Sequence, residues 1–296
     1  MKLTLGPILG HWQPEQWRDF YAQVADEVDV DRVVLGEVVC SKRLPFIEDH
    51  IGPAMERLAR GGKEVVLAAL ALVTLPRERN LCADVAAATD GLVEVNDPTM
   101  LHYLAKGRAF TVGPLVNVYN EGTLAHLARR GAATVCLPPE LPLTSIAALA
   151  RAGMAEIEVW GFGRVPLAIS GRCYHARIHG LHKDSCQFVC GEDPDGLKVE
   201  TLDHENFLAV NGVQTLSFTA ACALTEVDAL KAAGVARLRL SPQRVNMVPV
   251  ARLFRARING ATAAAESVSQ LQALVPDMPL ANGFMAGKFG AERLPL

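Results

Sequence analysis

FTVGPLVNVYNEGTLAHLARRGAATVCLPPELPLTSIAALARAGMAEIEVW, residues 110–160, carries the pattern that decides the fold. A β-like run (residues 110–118) gives way to an amphipathic run (122–130) that stops at Gly131. A second β-like run (133–137) breaks at Pro138-Pro139. A second helical run (143–152) stops at Gly153, and a third apolar run opens at residue 156. A glycine just past a helical run supplies the left-handed residue that ends it. Short apolar runs that scarcely alternate suit strands covered on both faces, as in a parallel sheet.

The same rhythm extends in both directions. Upstream, strands are predicted over residues 2–9, 32–39, 64–72 and 91–96. The helices between them fall at 14–27, opened by Pro14, at 46–60, closed by Gly61-Gly62, at 77–88, and from an Asp97 cap to residue 105. The Gly113-Pro114 pair inside the fifth strand marks a bend or bulge. Downstream of residue 160 the pattern breaks. Residues 191–212 are polar and turn-rich and fit a hairpin of 198–202 with 207–210. A short strand (215–220), a helix (226–233), the strand RLRL (237–240) and helices at 248–258 and 262–274 follow. The last twelve residues read as a mobile or partner-bound tail.

About eight strands spaced roughly 20–30 residues apart are βα units. The expected fold class is therefore α/β, a (β/α)8 TIM-like barrel with a cysteine-rich insertion after the seventh strand. One barrel domain accounts for residues 1–296, with 170–212 as a cluster-binding insertion. A doubly wound open sheet is the alternative, weakened because no G-x-G-x-x-G follows the first strand; the fragment Gly161-Phe162-Gly163 is a weak signal.

The chain has 296 residues, half of them hydrophobic, and a formal net charge of -3. That is enough chain for a full core, and it gives no overall basic field of the kind nucleic acid attracts. The longest apolar run, VVLAALALVTL (residues 65–75), is too short to span a bilayer. No hydrophobic leader with a small-residue cleavage site is visible. The expectation is a soluble cytoplasmic protein with no integral membrane segment and no nucleic-acid partner. Catalytic signatures of hydrolases and nucleotide enzymes are missing: no G-x-S-x-G, H-E-x-x-H or Walker loop.

The chemistry gathers in GRCYHARIHGLHKDSCQFVC, residues 171–190, which holds three of the seven cysteines, Cys173, Cys186 and Cys190, spaced C-x(12)-C-x(3)-C. Thiolates this close in a chain expected in a reducing compartment read as metal ligands rather than disulfides. In a barrel, the loop after strand two and the loop after strand seven rise from the same face. Cys40, just past strand two, is thus the natural fourth ligand. Four thiolates suit a [4Fe-4S] cluster or a structural zinc; one short cysteine pair plus two distant thiols fits a cluster on the barrel rim better than a zinc knuckle. Free cysteines remain a third reading. Arg172, Arg177 and Lys183 offset the charge of such a cluster. His175, His179 and His182 read as hydrogen-bonding or solvated residues, with a proton-transfer role open to His175 or His182. Glu37 is either a cap or a substrate-side residue at the same rim, and Arg172, His175 and Glu37 are the catalytic candidates. Asn96, Asn117 and Asn120 are strand-end residues that turn chemistry explains equally well. Cys82, Cys136 and Cys222 read as small buried hydrophobes.

The segment GRVPLAISGRCYHARIHGLHKDSCQFVC, together with VVLGEVVCSKR around Cys40, closely resembles the UbiV-type members of the collagenase-like (U-type) peptidase family, along the whole chain. The resemblance implies a barrel and a [4Fe-4S] cluster held by Cys40, Cys173, Cys186 and Cys190, all four of which are cysteine here. It also implies an iron–sulfur subunit of an oxygen-independent hydroxylase of ubiquinone biosynthesis. That subunit forms a heterodimer with a UbiU-like sister, works with a lipid-binding UbiT-like protein, and acts on a prenylated aromatic quinone precursor. Two alternatives stand beside it: a non-catalytic cluster-bearing partner subunit, and a zinc-stabilised hydrolase. No proteolytic constellation supports the peptidase name.

Overall fold

The computed structural model describes residues 1–293. Eight parallel strands close on themselves. They are β1 (Lys2–Leu5), β2 (Arg32–Leu35), β3 (Glu64–Ala68), β4 (Leu92–Val95), β5 (Phe110–Val112), β6 (Ala132–Cys136), β7 (Glu156–Ile169) and a late strand, Arg237–Leu240. Each pairs with the next, and the late strand pairs with both β1 and β7. That double pairing closes the sheet into a (β/α)8 barrel and removes the open-sheet alternative. Helices α1 (Pro14–Glu27), α2 (Glu48–Arg60), α3 (Pro76–Ala87), α4 (Glu121–Arg129) and α5 (Leu143–Arg151) fill the connections. The short α6 (Tyr174–Ile178) follows β7, α7 (Val227–Ala232) precedes the closing strand, and α8 (Met247–Ile258) and α9 (Ala264–Leu274) follow it. Among the described residues no helix is long and apolar enough to cross a membrane.

The helix predictions hold within a residue or two, except at residues 97–105. There Asp97 does cap, accepting from the Thr99 amide at 2.8 Å, but only a 3-10 turn (Pro98–His102) forms. The strands are shorter than predicted at the rim. β1 stops where Pro7 removes a backbone donor. β5 stops at Gly113, where any Cβ would sit 1.9 Å from the Asn96 Oδ1. β7 is the opposite case: it was expected to end at Trp160 but runs on to Ile169. Its extension pairs antiparallel with β10 (Gln214–Cys222). β9 (Asn206–Asn211) pairs with β10, and β8 (Leu197–Glu200) with β9. With the order of these three strands fixed, the closing strand Arg237–Leu240 becomes β11, and β12 (Leu280–Ala281) pairs with β10. The barrel sheet thus continues into an antiparallel extension on its C-terminal side, where β10 runs one residue earlier and two later than the predicted 215–220.

The barrel interior is charged. In β11 (RLRL) and the start of β7 (EIEV) alternate residues face inward, as period two requires. Arg239 sits between Glu158, 2.6 Å away, and Glu94. Below it, Arg237 reaches Glu156 at 3.0 Å and Glu64 at 3.3 Å, and Arg32 reaches Glu64 at 2.8 Å and the Thr134 hydroxyl at 3.1 Å. Burial alone would raise the Glu158 carboxyl; Arg239 and the Thr4 hydroxyl more than offset it and hold its pKa below the ordinary value. The apolar core lies between the strands and the helices, with Tyr21, Phe110, Phe162 and Phe254 fully enclosed. The predicted tail at residues 285–296 is partly built: a 3-10 turn (Gly283–Ala286) leads to Phe289, whose carbonyl accepts from the Glu292 amide at 2.9 Å. Residues 294–296 of that tail lie outside the described residues.

Candidate thiol site at the barrel rim

The loop after β2 is built by one carboxylate. The Glu37 Oε1 accepts from the amides of Val39 (2.7 Å) and Cys40 (2.9 Å). Glu37 is therefore a cap that positions Cys40, and burial raises its pKa even though Arg43 and those amides pull it down. A 3-10 turn (Ser41–Phe46) then carries Lys42 and Arg43.

Those two cations join the early rim loop to the segment after β7. The Lys42 ammonium donates to the carbonyls of Lys183 (2.6 Å) and Asp184 (3.2 Å) and lies 3.6 Å from the Cys186 sulfur. Arg43 is 2 % exposed. It donates to the Leu9 carbonyl (3.1 Å) and to the Asn211 Oδ1 (2.6 Å). Asn211 in turn donates to the carbonyls of Cys190 (2.9 Å) and Asp193 (2.7 Å). Burial disfavours the Arg43 charge, but Glu37, Cys190 and Cys40 more than compensate and hold its pKa above the usual value. Its Nε is buried with no hydrogen-bond partner. The turn that lets Arg43 in is Asn211-Gly212: Gly212 has φ +67°, and a Cβ there would stand 2.3 Å from the Arg43 Nη2.

Three of the predicted thiols, Cys40, Cys173 and Cys190, stand about this arginine, and the fourth, Cys186, lies at Lys42. Cys173 precedes α6, and its sulfur accepts from the Ala176 amide at 3.4 Å. It packs in one apolar cluster with Cys40 and Cys186, beside Val38, Val39 and Trp160. Cys173 feels the charge of Cys40 and Cys186, and Cys190 feels that of Cys173, Cys186 and Arg43. Burial raises the thiol pKa at Cys40, Cys173 and Cys190, and Arg43 opposes it at each. Between Cys186 and Cys190 the backbone turns left-handed twice, at Gln187 (φ +49°) and Phe188 (φ +55°). That conformation is costly for side-chain-bearing residues. It is held by packing: the Phe188 ring lies 4.7 Å from Phe46 and 5.9 Å from His11, and Lys42 sits 5.7 Å over its face. Cys82, Cys136 and Cys222 are buried elsewhere, and all seven cysteines are free.

Among the basic candidates, Arg172 and Arg177 are exposed and Lys183 half-buried. With Cys173, Leu181 and His182 they line an open depression of about 540 Å³. His175 is wholly buried, unlike the exposed His179 and His182. Burial lowers its pKa, against the Val210 carbonyl and Asp193, so the neutral ring is favoured. The asparagines are structural. Asn96 donates to the Ala69 carbonyl (3.2 Å) and Glu94 (3.1 Å), Asn117 is a left-handed turn residue, and Asn120 caps α4. Next to the thiols, the β7–β10 extension and the chain around Phe284 and Phe289 enclose an apolar cavity of about 300 Å³, with Trp160, Val165 and Phe207 among its walls.

Sequence reasoning missed Lys42, Arg43, Asn211 and His11. Lys42 and Arg43 stand directly after Cys40, and the Asn-Gly dipeptide is a strong hairpin signal, so these pointers were present. Nothing in the sequence tells that Arg43 is buried.

The fold is a (β/α)8 barrel with thiols and a buried guanidinium at its rim. The chain belongs to peptidase family U32, whose model matches residues 12–294. Solved structures show only distant likeness. A phospho-2-dehydro-3-deoxyheptonate aldolase from Thermotoga maritima matches over 94% of this chain and 71% of that one, at 10% identity and a TM-score of 0.45. The tryptophan synthase complex from Pyrococcus furiosus gives 94% and 98%, 14% identity and 0.43. A putative galactarate dehydratase from Agrobacterium radiobacter matches over 54% of this chain and 44% of its own length, at 15% identity and 0.35.

Proposed function

We propose that Cys40, Cys173, Cys186 and Cys190 hold a [4Fe-4S] cluster, and that the chain is the iron–sulfur subunit of an oxygen-independent hydroxylase of ubiquinone biosynthesis. The observation that carries this reading is the tie made by Lys42 and Arg43 between the Cys40 loop and the segment bearing the other three thiols. The donor set fits the group. Four soft thiols stand beside Arg43 and Lys42, and the buried Arg43, whose Nε has no partner, would offset the negative charge of a thiolate-bound cluster. When bound, such a cluster supplies one-electron chemistry.

The chain's own residues supply the surroundings. Glu37 fixes the Cys40 amide, Arg43 neutralises charge, and Val38, Val39 and Trp160 exclude water beside the thiols. The neighbouring apolar cavity suits the hydrocarbon part of a prenylated aromatic precursor. Exposed Tyr174 and Ile178 within the thiol segment, and Leu202 and Phe207 in the extension that follows it, suit contacts with a UbiU-like sister subunit and a lipid-binding UbiT-like protein. Anaerobic purification tests the reading: a brown protein with about four iron and four sulfide per chain is expected, and the Cys40→Ser variant is expected to lose the colour. A colourless protein carrying zinc would overturn it. Hydroxylation reconstituted with both subunits, each stripped of its cluster in turn, separates a catalytic subunit from a non-catalytic partner.

A further inference from the structure

The geometry points to a second metal site beside the thiols: His175, His179 and Asp193 form a ligand set for one divalent transition-metal ion of the zinc or ferrous-iron class. One donor atom from each of the three lies within 4.8 Å of the others, and no cysteine belongs to the set.

The decisive atom is the His175 Nε2. The Nδ1 of the same ring lies 3.2 Å from the Val210 carbonyl oxygen. A carbonyl only accepts, so the ring proton sits on Nδ1 and Nε2 presents its lone pair. A backbone carbonyl that fixes the tautomer in this way is the usual support of a metal-bound imidazole. Nε2 is buried, has no hydrogen-bond partner, and faces the Asp193 Oδ2 at 3.2 Å. A lone pair held against a carboxylate oxygen is unfavourable unless a cation lies between them. Two donors bound at about 2.1 Å to one tetrahedral or octahedral ion stand roughly 3.0–3.4 Å apart, and the observed separation falls in that range. A proton on Nε2 is the competing cation, but it would make a fully buried imidazolium stacked 5.4 Å from a second imidazole, at an interplanar angle of 5°.

His179, the residue that caps the C-terminal end of α6, completes the set four residues on from His175, its ring stacked on that of His175. Asp193 stands on backbone that Asn211 pins through its carbonyl at 2.7 Å. Two imidazoles and one carboxylate select a borderline transition metal over magnesium or calcium. The exposed side of His179 leaves the remaining coordination open to water. An ion here ties α6, which Cys173 caps, to the turn just past Cys190.

Cobalt(II) titration of the anaerobically purified full chain, followed by visible absorption, tests the site. The expected result is one equivalent bound with the weak bands of nitrogen and oxygen ligation and no thiolate charge-transfer absorption. Zinc should displace it. His179→Ala, an exposed position that does not threaten folding, and Asp193→Asn should each weaken binding by at least about tenfold. The inference is overturned if no cobalt binds, if both variants bind as tightly as the parent, or if all bound cobalt shows thiolate ligation. Because empty thiols would themselves take cobalt and a bound cluster would hide weak bands, cobalt and iron are also counted by metal analysis: loss of one equivalent of cobalt in His179→Ala and Asp193→Asn, with iron unchanged, marks this site.

Discussion

Arg43 shows what one residue does in this protein. It is buried, it contacts Leu9 and Asn211, and it opposes the burial of Cys40 and Cys190. A guanidinium accepts burial only where its charge and donors are matched. Glu37 and the thiols are the match here. Arg43→Met keeps the volume and removes the charge, leaving Glu37 uncompensated and the Asn211 Oδ1 without its strongest donor. The expected cost is about 3 kcal/mol of stability, read from urea unfolding, together with a lower iron content in anaerobically purified protein. Unchanged stability and iron would remove Arg43 from this account.

At the scale of elements, β7 is the decisive one. It serves the barrel through its first residues and the extension through its last, so the thiol segment hangs from a strand anchored in the core. That segment contains only short helical turns and two left-handed residues, and tertiary contacts hold it in place. Lys42 is the clearest of these. Lys42→Met removes the bonds to the carbonyls of Lys183 and Asp184 while keeping the aliphatic stem over Phe188. Amide exchange is expected to quicken about tenfold or more around residues 183–188, equivalent to losing roughly 1.4 kcal/mol of local protection, with the barrel strands unchanged. Uniform exchange across the chain would show that the segment and the barrel open as one unit.

For the whole molecule, buried titrating groups set the pH response. Burial, aided by Arg43, lowers the His11 pKa from 6.5 to about 4. The unfolded chain therefore binds this proton first, and stability falls as pH drops from 6.5 toward 4, by on the order of 2–3 kcal/mol from this one group. The exposed Glu156 and the buried Glu158 also have pKa values below the ordinary 4.5, because Arg237 and Arg239 hold them ionised against desolvation. Their contribution is complete above pH 4.5 and is lost below it as the folded pKa values are crossed. Denaturant midpoints measured from pH 7 to 3 should thus fall in two stages, and His11→Gln should shrink the upper one, leaving the part contributed by His175, whose pKa burial also lowers. A single stage below pH 4.5 in the parent would contradict the burial of His11.

The barrel was legible in the sequence because βα units are local. Gly131 and Gly153 end helices where they stand, and apolar runs such as RVVL and EVVLA have no better use than as covered strands. The thiol positions were legible for the same reason: three lie within eighteen residues, and the barrel rule alone brings Cys40 to their rim. Which side chain fills the space between them was not. Arg43 meets Asn211 across 168 residues of chain, and no periodicity encodes such a pair. The charged lining of the barrel was likewise hidden. The alternation in RLRL was visible, but which face turns inward depends on Glu94 and Glu158 arriving from other strands to make burial of an arginine affordable. Local propensity and spacing determined the elements and where the thiols stand in the chain; the pairing of distant charges, which exists only once the barrel closes, decided which polar groups are buried.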